Sequence, residues 1–344
     1  MRYTFYTTSE KAWDGMLRAI AGAQHSIYCE MYIFVDNTPD HGFFDMLARK
    51  AQEGVRVRMI IDALGSTELK SSAIKHAREA GVELLFFSYW LKHTHKKILV
   101  VDEKIAFVGG VNIHTLFKKW NDLQVRVKGP IVKSIICSFA RTYKLCGGAD
   151  LSVLAWNNKK TKLSKAKLLI LEHWQPESRL LVKKYYQEAI RNAHKSITLV
   201  TPYFAPQRWL IGALHQAILR GVAVHILLPE YTDLRYMNRV NYFYMHRLHS
   251  LGAVIHLSQK MNHAKAMLID DAEGMVGSQN IDPLSFQYNV EAGIFFREET
   301  MVKRLKEIIK EWKKKSFIFD PSIKKPQWFD YALSPLIRIF QRIV

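Results

Sequence analysis

The chain of 344 residues carries 50 Lys and Arg against 31 Asp and Glu, a formal net charge of +19, with 49% hydrophobic residues. That composition excludes a disordered chain, and the charge favours an anionic partner, either nucleic acid or an acidic membrane surface. Cys29, Cys137 and Cys146 are odd in number and lack metal-site spacing, which argues against a disulfide framework and for small buried apolar roles in a reducing compartment.

Read from the N-terminus, "MRYTFYTTSEKAWDGM" has no hydrophobic core of the signal-peptide kind. No apolar run reaches the roughly 18 residues of a bilayer span, so membrane contact is expected from the surface. A helical-period stretch over 43–52 leads through Gly54 into "VRVRMIID", rich in branched apolar residues and suited to a buried strand. The same order returns later. "AIAGAQHSIYCEMYIF" (19–34) answers to "EAIRNAHKSITLVTPYF" (188–204), "LARKAQEGVRVRMIID" (47–62) to "LHQAILRGVAVHILLP" (214–229), and "AGVELLFF" (80–87) to "LGAVIHLS" (251–258). Offsets of 167, 171 and 168 separate Gly54 from Gly221, Gly81 from Gly252 and His95 from His263. A steady offset means duplication of a whole α/β unit, each a mostly buried sheet flanked by helices. We expect a first half over 1–147, a lysine-bearing connection over 148–175, a second half over 176–312 and a basic, amphipathic segment over 313–344.

The most specific feature is a motif written twice. His95, Lys97 and Asp102 stand at H-x-K-x-x-x-x-D spacing, as do His263, Lys265 and Asp270. Gly109, Gly110 and Asn112 follow the first, and Gly277, Ser278 and Asn280 the second. On a strand His and Lys two residues apart share a face. Each Asp falls where the strand turns, suited to accepting backbone or lysine hydrogen bonds. The small pairs let backbone approach a bulky tetrahedral group, and the Asn residues add neutral donors. If the halves face each other across a pseudo-twofold axis, the paired groups form a phosphoryl pocket. Cations and amides would hold the non-bridging oxygens, and imidazoles would serve nucleophile and leaving group. A two-histidine metal site is the rival, but a lysine beside each histidine repels a cation and no carboxylate pair stands ready, so neither metal nor cofactor is expected.

These residues resemble the phospholipase D superfamily, and within it bacterial cardiolipin synthases. The narrower likeness rests on "SIYCEMYIFVDNTPDHGFFDMLARKAQEGVRVRMIIDALGS", "GGVNIHTLFKKWNDLQVRVKGPIV" and "TPYFAPQRWLIGALHQAILRGVAVHILLPEYTD", and runs from about residue 8 to residue 296. It implies a duplicated phospholipase D-like α/β fold and a covalent mechanism. The first-motif His95 would be nucleophile and His263 the general acid, then the base. It implies an acidic residue after each motif that orients a histidine. Glu291 matches that pattern; Asp122 is the match in the first half, one step out of register, with Asn121 aligned to Asn289. Glu30 matches a glutamate of cardiolipin synthases, its place in the second half taken by the Thr201-Pro202 region. Leu284 stands before Ser285 where the family often has Arg, putting the acceptor preference in doubt.

The resemblance thus implies a phosphatidyltransferase acting on phosphatidylglycerol, with phosphatidylglycerol or phosphatidylethanolamine as donor. It implies a peripheral protein on an anionic membrane, at the cytoplasmic face of the bacterial inner membrane. Hydrolytic phospholipase D and nucleic-acid phosphodiesterase are the alternatives, and the oligomeric state is left open. Nucleic acid is disfavoured as a partner because nucleases of the superfamily are often one short half that dimerises. The membrane contact is expected from "PQWFDYALSPLIRIFQRIV" (326–344), whose Trp328, Phe329, Leu333, Leu336, Ile337 and Phe340 recur at helical spacing, or else that segment packs on the protein body.

Overall fold

In the computed structural model, residues 2–89, 92–157, 167–174 and 179–322 are described. The amphipathic stretch 326–344 lies outside them. The first sheet contains β1 (Arg2–Thr8), β2 (Ser26–Met31), β3 (Arg56–Asp62), β4 (Glu83–Phe87), β5 (Ile98–Val101), β6 (Ile105–Gly109) and β7 (Asn121–Lys128). Its order is β1-β7-β6-β5-β2-β3-β4. The second contains β8 (Leu168–Trp174), β9 (Arg179–Leu180), β10 (Ser196–Val200), β11 (Ala223–Pro229), β12 (Val254–Ser258), β13 (Ala266–Ile269), β14 (Glu273–Gly277), β15 (Glu291–Phe296) and β16 (Ser316–Ile318). Its order, β16-β12-β11-β10-β13-β14-β15-β8-β9, repeats the first strand for strand and adds one strand at each edge.

Two expected boundaries move. Leu168–Trp174, placed in the connection, is β8: it pairs antiparallel with β15 as β1 pairs with β7, and so belongs to the second sheet. The segment expected to begin at 313 starts inside a helix whose chain continues into β16, hydrogen-bonded to β12.

Helices α1 (Ser9–Ala21), α2 (Phe43–Gln52) and α3 (Ser71–Glu79) cover the outer face of the first sheet. On α1, Thr8 caps the N-terminus by accepting from the Lys11 amide at 3.3 Å, and Ala12, Trp13, Met16 and Ile20 form the buried stripe. Helix α4 (Ile131–Leu145) covers the inner face and leads to the short α5 (Leu151–Leu154). In the second half α6 (Leu181–Arg191), α7 (Arg208–Leu219) and α8 (Arg235–Ser250) lie outside, α9 (Pro283–Gln287) follows the second motif, and α10 (Glu299–Lys314) takes the place of α4. The inner sheet faces share one core with α4 and α10, joining Val100, Val125 and Ile135 of one half to Val276, Ile294 and Ile308 of the other. Each such fully buried side chain contributes roughly 1.5–3 kcal/mol. Arg141 of α4 also pairs with Glu172 of β8 across the junction. That shared core fixes the two halves relative to each other, and therefore the two motifs.

The motif aspartates lie at the far ends of their strands. Asp102 and Glu103 have φ of 51° and 53°, and Asp270 and Asp271 of 53° and 55°. These are the two left-handed positions of tight turns between β5 and β6 and between β13 and β14. Asp102 accepts from the amides of Gln24, His25 and Ser26, and Asp270 from those of His194, Lys195 and Ser196. Burial opposes their charge, but these amides hold both carboxyls below the usual range. Their partners are backbone amides rather than lysines, and their work is to lock each turn to the neighbouring strand.

Candidate active site

Each motif enters its strand zipped to the other half. The His95 amide donates to Val290 O at 2.9 Å and Val290 N to His93 O at 2.8 Å. In the mirrored arrangement His263 N donates to Asn121 O at 2.7 Å and Asn121 N to Met261 O at 3.0 Å. The side chains then cross. His95 Nδ1 lies 3.0 Å from both carboxylate oxygens of Glu291, and His263 Nδ1 lies 2.8 Å from Asp122 Oδ2. Each histidine is thus oriented by the acid of the opposite half.

The crossing also settles the register. Val290 and Asn121 play the same part, so Glu291 and Asp122 are true counterparts and Asn121 does not align with Asn289. The second half carries one residue more between its small pair and its acid, within the segment that forms α9.

The small pairs have a different role from the expected one. A Cβ on Gly109 would collide with Leu123 O, one on Gly110 with the Asp122 carboxylate, and one on Gly277 with the Gln279 side chain and Ala292 O. They make room for the protein's own acid-bearing strand, not for a ligand. At the equivalent of Gly110, Ser278 donates its hydroxyl to Glu291 and accepts from Ala292 N at 3.1 Å. The Asn112 side-chain Oδ1 accepts from Ile33 N at 3.3 Å, fixing the loop after β2. The Asn280 backbone N–H donates to Ser285 Oγ at 3.0 Å, while its buried side-chain Oδ1 has no hydrogen bond among the described residues.

Both lysines are buried against their histidines. Lys97 Nζ donates to His95 O at 2.7 Å and lies 4.9 Å from the Tyr32 ring centre. Lys265 Nζ donates to His263 O at 2.6 Å and stands 2.8 Å from His263 Nε2. Among the described residues His95 Nε2 makes no hydrogen bond, so the two imidazoles are not equivalent.

Glu30 and Lys96 belong to the first half alone. Alternation turns Lys96 to the opposite strand face from His95, where its ammonium meets Glu30 at 3.0 Å, Thr142 Oγ1 at 2.7 Å and Ser138 O at 3.1 Å. Glu30 also accepts from the Thr94 hydroxyl, one residue before His95. Strand pairing identifies the counterpart of Glu30 as Val200, not Thr201: Glu30 sits opposite Ile98 and Val200 opposite Ala266, the residues after each motif lysine. The second half replaces the buried pair with apolar Val200 and Ala264.

Burial is the first cause of the electrostatics here. It pushes His95 down to about 4, helped by Lys97 and Lys265 against the pull of Glu291, and it lowers His263 in the same way. It lowers Lys97 well below the ordinary lysine range and Lys265 to about 8. Burial raises Glu291, but His95, Lys97 and Ser278 outweigh it and hold the carboxyl at about 2; Asp122 is likewise held low. An ionised carboxylate only accepts, so each resting imidazole is neutral with its proton on Nδ1, leaving Nε2 toward the pocket. An unfolded histidine binds a proton near 6.5 and buried His95 only near 4, so stability falls with pH through that window, by up to about 3 kcal/mol. Glu291 extends the loss toward about 2. The melting temperature should therefore drop as pH is lowered from about 6.5 to 4, and His95→Gln should flatten that slope. An unaltered slope in the variant would place the proton uptake elsewhere.

Sequence reading missed some neighbours of the site. Asp62, at the end of β3, accepts from Thr94 N at 2.9 Å and sits 3.1 Å from His93 Nδ1; an acid closing an apolar strand was the available signal. Tyr32 packs edge-on to His95 at 4.8 Å, and Trp120 lies 5.5 Å from His263. Tyr203, in the loop after β10, lies 6.2 Å from the His263 ring, whereas the neighbouring Phe204 and Phe286 of α9 are core.

Two neutral imidazoles seated on crossed carboxylates, each with a buried lysine against it, on a duplicated α/β fold, define a phospholipase D-like domain pair. The family described as "Cardiolipin synthase, PLD-like domain" matches residues 16–142 and again 186–313, and the chain belongs to that family. It is 29% identical to the probable cardiolipin synthase YwiE of Bacillus subtilis (strain 168) over 86% of this chain and 63% of that protein. It is 30% identical to a cardiolipin synthase of Alkalihalophilus pseudofirmus over 87% of this chain and 63% of that one. The chain thus spans somewhat under two thirds of the length of these relatives. Among solved structures, the phosphatidylserine synthase of Haemophilus influenzae shares the fold with a TM-score of 0.78 over 99% of this chain and 94% of that one, at 13% identity. A polyphosphate kinase from Porphyromonas gingivalis gives 0.64 over the full chain and 54% of its own, also at 13% identity. Among the described residues no helix is long and apolar enough to cross a membrane.

Proposed function

We propose that the protein is a cardiolipin synthase, a peripheral enzyme of the cytoplasmic face of a bacterial inner membrane that transfers a phosphatidyl group to phosphatidylglycerol. The crossed His95–Glu291 and His263–Asp122 pairs support this reading, because each seats one motif imidazole on the carboxylate of the opposite half. Family membership and the cardiolipin synthases among the relatives support the substrate class.

In this mechanism Lys97 and Lys265 hold the non-bridging oxygens of a phosphodiester. His95 Nε2 attacks phosphorus while the donor's headgroup oxygen leaves with a proton from His263. The bound phosphate anion raises the pKa of His263 enough for it to carry that proton. The product is a phosphatidyl–His95 intermediate and a free alcohol. His263 Nε2, now neutral, takes the proton of a phosphatidylglycerol hydroxyl, whose oxygen attacks phosphorus and releases His95. Glu291 and Asp122 stay ionised throughout and stabilise whichever imidazole is cationic.

Water competes with the lipid acceptor at roughly 55 M, so transfer wins only where the pocket is dry and the acceptor is held in line. Burial of both histidines and of both lysines favours that outcome. Purified protein given phosphatidylglycerol in vesicles, alone or with phosphatidylethanolamine, should form more cardiolipin than phosphatidic acid. Phosphatidic acid as the main product would make the protein a hydrolase.

A further inference from the structure

Of the twelve exposed large apolar side chains among the described residues, six lie at one end of the molecule. Leu64, Tyr89, Leu116, Tyr231, Tyr236 and Leu284 are between 42 and 71% exposed, and all six lie in loops or first helical turns at the strand ends nearest the two histidines. Leu64 lies two residues beyond Asp62, which holds Thr94, and Tyr89 follows the neighbouring strand β4. Leu116 sits on the single turn Thr115–Phe117, whose Phe117 packs on Trp120 beside His263. Tyr231 and Tyr236 bracket Asp233, which accepts from the Tyr203 hydroxyl at 2.7 Å. Leu284 opens α9 directly after the second motif. The other exposed large apolar residues of the described chain lie on helix ends and on the β12–β16 edge, such as Leu219 and Phe317.

We propose that this rim is a membrane-docking surface that seats the mouth of the site on an anionic phospholipid bilayer. The inference rests on the lipid reading above and adds where the membrane lies. A two-chain lipid does not leave the bilayer for a buried site, because every methylene drawn into water opposes it; the mouth must come to the lipid. Leucines that reach the acyl boundary and tyrosines that sit at headgroup level suit that contact. Charge agrees. Lys70, Lys119, Arg235 and Lys260 are exposed in the same loops. Among the rim's carboxylates Asp40 is tied to Lys118 and Glu68 to His114, Asp233 accepts from the Tyr203 hydroxyl, and Asp36 is exposed. The surface is therefore apolar at its points, with more exposed cations than unpaired carboxylates around them, on the loops at the end that holds the site.

The test uses the full-length protein and co-sedimentation with vesicles of mixed phosphatidylglycerol and phosphatidylcholine, beside vesicles of phosphatidylcholine alone. The triple variant Leu64→Ser, Leu116→Ser, Leu284→Ser should bind the mixed vesicles at least about 100-fold more weakly, since each exposed leucine is worth on the order of tenfold. It should melt at the temperature of the parent protein, because none of the three is core. A control, Leu151→Ser with Leu219→Ser, should bind as the parent does. Parent-like vesicle binding by the triple variant overturns the proposal, as does equal loss in the control. So does a dimer that the triple variant dissociates without altered vesicle binding, which would assign the rim to a second copy. Binding needs no turnover, so loss of binding at the rim and failure of lipid transfer are separate results.

Discussion

His95→Ala should reduce lipid turnover by roughly 10⁴ or more and should leave no phosphorylated protein, because in the proposed mechanism the nucleophile itself is gone. His263→Ala should lose as much activity on natural lipids but for a different reason, and the difference can be measured. With a nitrophenyl phosphodiester the leaving group departs without a proton, so the His263 variant should still form the covalent intermediate and then stall. Mass spectrometry at neutral pH should find the adduct on the His263 variant and not on the His95 variant. This assignment has a structural basis. His263 Nε2 is 2.8 Å from the Lys265 ammonium, which occupies the lone pair a nucleophile needs, whereas the described residues leave His95 Nε2 without a hydrogen bond. The reverse labelling pattern would exchange the two roles and overturn the mechanism as drawn.

Much of this was legible in the sequence because the informative elements are local and repeated. An H-x-K spacing on a strand is enough to put His95 beside Lys97 and His263 beside Lys265, and an offset near 168 residues reveals the duplicated fold. What failed depended on contacts made at long range. Register between Asp122 and Glu291 could not be counted along the chain, since one extra residue near α9 shifts the count while cross-half hydrogen bonds restore the geometry. The role of Gly110 is invisible without Asp122 above it, and only strand pairing identifies Val200 as the counterpart of Glu30. β8 was missed because its partner, β15, lies well over a hundred residues away. The terminal segment 326–344 lies outside the described residues, and the proposed rim residues come singly from separate loops and share no periodicity.

Glu291→Gln and Asp122→Asn should each lower kcat by roughly 10²–10⁴, with opposite signatures in the pH profile. Each amide keeps the shape of its acid and can accept the Nδ1 proton, so the fold should lose no more than about 1–3 kcal/mol. The charge is what disappears. Glu291 pulls the pKa of His95 upward against burial, which already holds it near 4, so its removal lets that value fall further. In the proposed mechanism His95 acts as a neutral nucleophile, and the acid limb of kcat/KM should therefore move to lower pH in Glu291→Gln. Asp122 pulls His263 upward in the same way, but in the proposed mechanism His263 must carry a proton to release the alcohol. Its loss should move the alkaline limb to lower pH in Asp122→Asn. A merely structural role for the two acids would depress the rate and leave both limbs in place, because packing defects do not select one imidazole. Movement of the same limb in both variants would show that the histidines share one role, and a division of nucleophile and acid between the halves would no longer stand.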